Sequence, residues 1–488
     1  MCLDPNASTK AQKGFAVDSE PQLERGLSFT DAMSLVVGIV IGTGVFLKAA
    51  VMAQAVRTPF LVLAAWVCAG VLSLAGALVY AELGALLPQA GGEYVYLRES
   101  YGDALAFLFG WMRMTVASTG TIASLAVGFS TFLSALIPFN TIWTQRSFVW
   151  FGQAISWQFG KQQALAVALI LFISAINSVG VSVGGRIQSL VTGVKLFGIV
   201  VIVGGVFLFS HGLHFSNLVA SKDAPQWWFG ISSFGTAMLA ALWAYDGWNQ
   251  MPMVAGEVQQ PERNVPRALI GGMVIMIFLY TIVNLAYFLV LPVREIATSS
   301  STLYRDAVPV AAKAAQTFLG TLGGRLVSII FLVSTLGSLQ GSVLTCARVP
   351  YAMAKDGLFF SPFGVLSKSA HTPVFSIAMQ AIWASVLALS GTFDQLTDYT
   401  IFSSWIFYAL VTSSVFVLRR KMPNVVRPYR TLGYPFMPIV FIGVACWLTW
   451  NTLQTRPLES LTGIIIIAMG LPLYLYFRRI RRRDKRFR

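Results

Sequence analysis

Three features of this sequence predict an all-α integral membrane protein: a charge-poor apolar composition, long uncharged segments in series, and two such segments interrupted at matching places. Hydrophobic residues make up 56% of the 488 and charged residues only 11%, with a mean hydropathy of +0.68. Soluble domains carry about 25% charged residues, so several spans through a bilayer are implied. The composition also argues against an enzyme. His211, His214 and His371 are scattered, and Cys2, Cys68, Cys346 and Cys446 show neither metal-ligand nor disulfide spacing. No metal site and no cofactor are expected.

Twelve spans are predicted, at roughly 30–55, 60–87, 103–137, 163–180, 186–209, 229–256, 266–291, 323–353, 374–390, 397–418, 435–454 and 459–478. Each approaches or exceeds the roughly 20 apolar residues that a membrane helix needs. Pro, Gly and charged residues punctuate the gaps. With residues 1–27 as a polar, disordered cytoplasmic tail and no signal peptide, segments assigned to the inside hold more than twice as many Lys and Arg as those outside. That bias is the expected one, and it puts both termini in the cytoplasm of a cell whose plasma membrane holds the protein. The net charge of +15 therefore reads as topology. The clusters Arg419-Arg420-Lys421 and Arg478–Arg488 abut apolar spans without interleaved aromatics, so membrane lipid headgroups, not nucleic acid, are their expected partners. Three connections look structured: an amphipathic 93–101 segment lying along the inner membrane surface, an Ala-rich outer loop at 302–320 capping an entrance, and a charged turn at Gln260–Arg267.

The first span contains Ile41-Gly42-Thr43-Gly44-Val45-Phe46. Two glycines around a threonine at mid-membrane either allow a close helix contact or break the helix. A break ending at Gly42 frees the amides of Thr43, Gly44 and Val45 to start a second half-helix, whose positive end suits a carboxylate. A second interruption decides between these. Span six reads Trp243-Ala244-Tyr245-Asp246-Gly247-Trp248-Asn249-Gln250-Met251-Pro252, which cannot form a smooth lipid-facing helix. Gly42 and Gly247 stand 205 residues and five spans apart, the pattern of a transporter built from two five-span inverted repeats, 28–210 and 225–420. Spans eleven and twelve (433–478) and a basic cytoplasmic tail (479–488) follow. The first break points amides at the midplane, and the second points the carbonyls of Trp243, Ala244, Tyr245 and Asp246. A small zwitterion, an α-amino acid, supplies both charges that such a site wants.

Gly42-Thr43-Gly44-Val45-Phe46, the run from Tyr80-Ala81-Glu82-Leu83 to Gly91-Gly92-Glu93-Tyr94, and Ala244-Tyr245-Asp246-Gly247-Trp248-Asn249 resemble the amino acid–polyamine–organocation (APC) superfamily, and within it a prokaryotic L-type amino acid transporter (LAT). The resemblance implies the five-plus-five fold with broken helices one and six, alternating access, and a substrate held between spans one, three, six, eight and ten. It places the carboxylate-binding turn at Thr43 and Gly44, an aromatic gate at Trp243, and a site asparagine at Asn249. Eukaryotic members commonly carry Gly where this chain has Asp246. An acid at that depth costs about 2.5–3.5 kcal/mol, so it must face a cavity or a partner; it carries a proton, contacts the amine, or caps the broken helix. Heteromeric members join a heavy chain through a cysteine in the loop after span three. The loop Pro138–Gln162 has none, so no disulfide-linked heavy chain is expected.

Lys195 lies about 15 Å into span five and cannot snorkel, so its ammonium needs carbonyls or an acid. In span eight, Ser334, Thr335 and Ser338 offer oxygens of the kind that bind Na⁺ in sodium-coupled relatives of the fold. The resemblance makes Lys195 a substitute for that cation, either as a fixed charge or as a titrating group. Side-chain pocket candidates are Trp248, Asn249, Ser118, Ser338 and Ser404, with Tyr245, Thr119, Thr121, Ser403 and Tyr408 in reserve; packing between helices is the alternative for each. Glu82 is expected to pair with Arg113, and Glu257 with Arg263. Together these point to a sodium-independent carrier or exchanger of neutral L-amino acids. The alternatives are a proton- or sodium-coupled symporter of amino acids or polyamines, and an amino acid sensor that transports nothing.

Overall fold

The computed structural model describes residues 21–137, 141–150, 153–210, 212–219, 227–301, 303–304, 307–390, 393–455 and 457–484. The expectation for residues 1–20 of the tail lies outside these. Helix α1 (Phe29–Val40) starts at a capping box, in which the Ser28 hydroxyl accepts from the Asp31 amide at 3.2 Å and Asp31 accepts from the Ser28 amide at 3.0 Å. It stops at Ile41-Gly42-Thr43, and α2 (Gly44–Val56) resumes the span. Helix α3 (Pro59–Leu86) follows, then α4 (Glu93–Tyr101), α5 (Asp103–Met112) and α6 (Ser118–Leu136), with a π-helical turn, Arg113–Ala117, between the last two. Strands β1 (Ile142–Trp150) and β2 (Gln153–Gly160) form an antiparallel pair within the stretch expected to be loop.

Helices α7 (Lys161–Ser178) and α8 (Val181–Phe209) complete the first half. Helix α9 (Trp227–Tyr245) breaks at Asp246-Gly247 and continues as a 3₁₀ segment, Trp248–Glu257. Next come α10 (Pro261–Val290), short α11 (Val293–Ala297), α12 (Val310–Leu319), α13 (Thr321–Cys346) and α14 (Arg348–Lys355). The chain ends with α15 (Val374–Ser390), α16 (Phe393–Lys421), α17 (Phe436–Thr455) and α18 (Pro457–Asp484). Helices occupy every segment read as a span. Among the described residues, nine helical stretches are long and apolar enough to cross a membrane, and Val374–Leu389 is a shorter apolar helix. The two broken spans sit at the centre: α2 packs on α9, and α1 packs on α8, α10 and α13.

Several connections differ from expectation. Segment 93–101 is packed against protein over more of its surface than an amphipathic surface helix requires: Glu93, Tyr94, Val95, Tyr96 and Leu97 are all buried, and the Gly91 amide just before it bonds the Met253 carbonyl at 2.8 Å. Its charges are its polar minority, and tertiary packing overrides them. Residues 260–267 are not a turn but the start of α10: Gln260 adopts φ 45°, and Pro261 occupies the first helical turn, where its missing amide costs nothing. The Ala-rich 302–320 stretch does contain a helix, α12, buried along Val310, Ala311, Ala312, Ala314 and Ala315.

Both expected ion pairs are also re-partnered. Glu82 takes Arg419 (Nε at 2.9 Å, Nη2 at 2.6 Å), Arg427 at 3.2 Å, and the amide and hydroxyl of Thr431, each at 2.7 Å. Arg113 is not among its partners. Glu257 takes Arg348 in a bidentate pair, 2.7 and 2.8 Å, with both side chains fully buried, rather than Arg263. At the same end of the bundle, Leu27 forms a parallel bridge with Val258, donating to the Glu257 carbonyl at 2.9 Å and accepting from Gln259 at 2.8 Å. Breaking a buried pair strands a charge at a cost of about 3–5 kcal/mol. Arg348→Met should therefore lower the thermal unfolding midpoint in detergent sharply, and Glu257→Leu added to it should recover part of the loss.

Candidate functional site

The end of α1 presents carbonyls that no helix can satisfy. Lys195, fully buried in α8, donates to the Gly38 carbonyl at 2.5 Å and the Ile41 carbonyl at 2.8 Å, and reaches the Ser338 hydroxyl at 3.2 Å. Ser338 itself lies 3.1 Å from the carbonyls of Gly38, Ile39 and Ile41, and Ser334 donates to those of Ile41 and Gly42 at 2.8 and 3.1 Å. Thr335 stays out of this cluster, bonding Phe331 within its own helix at 2.9 Å. The cation thus sits at the negative end of a helix, where its charge is most stabilising. Gly337 makes room for it: a Cβ there would stand 2.6 Å from Lys195 Cε.

Across the break, α2 begins with the amides of Thr43, Gly44 and Val45 ahead of the first intrahelical acceptor. Thr43, its N-cap residue, makes no capping bond, and its buried hydroxyl has no partner. The opposing break lies against this turn. A Cβ on Gly44 would come within 2.4 Å of Ala244 Cβ and 2.8 Å of Ala244 Cα, so only glycine lets the two interruptions touch. Gly247 takes φ +112°, a conformation that favours glycine, and ends α9 there. A third helix ties the breaks together. The Tyr280 hydroxyl lies 2.8 Å from the Val40 carbonyl and 3.0 Å from the Ala244 carbonyl.

Between the breaks is a cavity to which Gly42, Thr43, Gly44, Trp243, Ala244, Asp246 and Ser338 all contribute. Asp246 is exposed to it, and one carboxylate oxygen accepts from the Tyr408 hydroxyl at 2.7 Å, so it has both a cavity and a partner. The Trp243 ring carries the Lys48 ammonium 4.2 Å from its centroid. Of the expected amine-binding carbonyls, that of Ala244 receives the Tyr280 hydroxyl at 3.0 Å and that of Trp243 receives the Asp246 amide at 3.3 Å.

Other candidates turn away from the cavity. The Val45 side chain is fully buried and does not line the cavity, so only its backbone amide remains of that candidate. Tyr245 packs between Trp66 and Tyr280, with ring centroids 5.9 and 4.9 Å away. Trp248 packs on Tyr80 at 4.8 Å, and Asn249 donates to both Glu93 oxygens at 3.2 Å. Ser118 and Ser404 are buried and are not among the cavity's lining residues, whereas Thr121 is. The Ser403 side chain lies outside the described residues. Ser124, Gln250 and Ser342 line the cavity and were missed. Ser124 and Ser342 look like any small helix-packing residue in sequence. Gln250 follows the Asp-Gly break at one turn's distance, which was a usable signal.

Residues 27–469 match the amino acid permease family. The chain belongs to that family, within the APC superfamily. The permease is 33% identical over 460 residues to the serine/threonine exchanger SteT of Bacillus subtilis (strain 168), covering 94% of this chain and 97% of the relative. It is 29% identical to the human b(0,+)-type amino acid transporter 1 (93% and 88% covered) and 27% identical to the human cystine/glutamate transporter (93% and 86%). These relatives are transporters, and the LAT-type resemblance stands.

Two substitutions test the geometry. Gly44→Val should bring amino acid binding, read by thermal shift or titration calorimetry, below detection while the permease remains extractable and monodisperse. Lys195→Ala removes the ammonium from the α1 carbonyls; it should insert normally yet slow transport on the order of tenfold or more.

Proposed function

We propose that the permease is a sodium-independent exchanger or carrier of neutral L-amino acids that works by alternating access in a plasma membrane. The single observation that carries this is the contact of the two interrupted spans at Gly44 and Ala244 with a cavity between them. The amides of Thr43 and Gly44 and the free Thr43 hydroxyl take the carboxylate. The carbonyls of Trp243 and Ala244 at the second break, with the Asp246 carboxylate that lines the same cavity, take the amine. The Trp243 indole is the gate. Twelve spans in two inverted repeats, 28–210 and 225–420, with both termini cytoplasmic, complete the reading.

Sodium independence rests on Lys195. Its ammonium occupies the carbonyl and hydroxyl cluster of α1 and α13 that a cation would otherwise fill. Proteins similar to this one are named for neutral and for charged amino acids, and SteT for serine and threonine exchange. The hydroxyls of Thr121, Ser124 and Ser342 along the cavity support small polar or neutral side chains. One observation favours a second reading. Asp246 is open to the cavity with only one of its oxygens on Tyr408, so a substrate carrying an extra positive charge is also served.

Counterflow into proteoliposomes loaded with unlabelled amino acid separates these readings, using labelled serine, leucine, arginine and glutamate with and without Na⁺. Trans-stimulated uptake of the neutral pair, indifferent to Na⁺, is expected. An absolute Na⁺ requirement would overturn the role of Lys195, and uptake confined to arginine that is lost in Asp246→Asn would select the second reading.

A further inference from the structure

Between the cavity and the proposed cytoplasmic face, a guanidinium is buried without an anion. Arg113 is only 4% exposed. Among the described residues its Nε meets no acceptor, and Nη2 reaches two sulfur atoms, Met253 Sδ at 3.7 Å and Cys346 Sγ at 3.9 Å. Thioether and thiol sulfurs are weak acceptors, and a buried cation lacking strong partners is among the costliest arrangements a core can hold. Glu93 and Asp246 are close enough to act on it electrostatically, yet both direct oxygens elsewhere. Glu93 accepts from Tyr80 at 2.7 Å and Asn249 at 3.2 Å, and Asp246 accepts from Tyr408 at 2.7 Å.

The backbone is distorted at this point. Arg113–Ala117 is the π-helical turn within span three, and the Thr119 side-chain hydroxyl donates to the Met114 carbonyl at 2.9 Å. Such single-turn bulges recur at functional sites. One layer separates the guanidinium from the cavity. Gln250 lines the cavity, and its side-chain carbonyl accepts from Thr345 at 3.2 Å and from the Cys346 thiol at 3.6 Å. Cys346 is the residue that Arg113 touches on the other side. Withdrawing Gln250 from these two partners joins the cavity to Arg113.

We propose that Arg113 is a second anion-binding point of the permease, which takes the substrate carboxylate on the cytoplasmic side once the Gln250 layer opens. This rests on the amino acid transport reading above. The turn at Thr43 and Gly44 offers a carboxylate only partial charge, whereas a guanidinium offers a full charge in a planar fork that binds it at two points. A substrate arriving from outside meets the turn first, and one arriving from inside meets Arg113 first.

The test is exchange in proteoliposomes of known orientation, with substrate varied on one face at a time. Arg113→Gln should raise the half-saturating concentration on the cytoplasmic face on the order of tenfold or more, leaving the external value unchanged, and Arg113→Lys should fall between. A readout independent of transport is Cys346: substrate should slow its modification by a small thiol reagent, followed residue by residue by mass spectrometry, in the wild type and not in Arg113→Gln. If Arg113→Gln does not fold, Arg113→Lys carries both measurements with the same expected signs. Equal shifts on both faces, no shift, or recovery of wild-type values in a Glu93→Gln/Arg113→Gln double variant would make Arg113 a counter-charge in the packing and overturn the proposal. A wild type that exchanges none of the amino acids tested overturns the transport reading instead.

Discussion

The structure depends on how the carboxyl-terminal end of α1 is satisfied in the absence of water. Stopping a helix at Ile41 in the middle of a membrane strands the carbonyls of Gly38, Ile39, Val40, Ile41 and Gly42. In hydrocarbon each unpaired group costs several kcal/mol. The ammonium of Lys195, the hydroxyls of Ser334 and Ser338, and the phenol of Tyr280 cover all five. These groups come from α8, α13 and α10, so the break is held by three helices that pack around it. With one side of the interruption saturated, the other is left open: the amides at the start of α2 face the cavity instead of each other's carbonyls. The binding chemistry proposed for one face thus rests on the pairing of the opposite face.

The second interruption is fitted to the first by close approach rather than by charge. Gly44 lies against Ala244, and Gly247 against Ile39, where a Cβ would stand 2.7 Å from the isoleucine Cγ2. Close-packed interiors do not deform continuously, so elements meeting at this distance move as a unit or separate. Tyr280, bonded to a carbonyl from each break, spans both. The polar network beyond them is equally specific. Glu82 with Arg419 and Thr431, Glu93 with Tyr80 and Asn249, and Glu257 with Arg348 place each buried carboxylate among the described residues opposite donors. Buried Arg113 differs: among the described residues its direct contacts are two sulfur atoms, with the Phe109 ring centroid 6.0 Å from its guanidinium carbon.

Much of this was legible in the sequence, for identifiable reasons. Glycines flanking Thr43, and Asp246-Gly247 before Pro252, are incompatible with an uninterrupted membrane helix, so both breaks were visible. A lysine at the depth of Lys195 demanded carbonyls, and it has them. Partner choice was not legible. Glu82 and Arg113 occupy similar depths in neighbouring spans, yet Glu82 is taken by Arg419, Arg427 and Thr431, which approach from the chain's other end. Trp248 and Asn249 sit beside the break in sequence, but their side chains point into the packing, because the 3₁₀ continuation after Gly247 rotates successive residues by a different angle from an α-helix. Tyr245, at the end of α9, faces Trp66 and Tyr280 instead. The π turn at Arg113 and the β1–β2 pair left no periodic signal of their own.

By itself the sequence determined that the chain is a bundle of membrane helices, where two of them break, and that the buried ammonium of Lys195 must find carbonyls or an acid. Hydrocarbon imposes those conclusions locally, since an apolar run either crosses or does not, and a glycine pair or a charge at mid-depth is expensive wherever the rest of the chain lies. Tertiary structure alone decided which carboxylate meets which guanidinium, which side chains line the cavity, and that most of α4 is buried against its neighbours. Those outcomes depend on rotation about helix axes and on contacts between residues hundreds of positions apart, and composition and spacing carry no record of either.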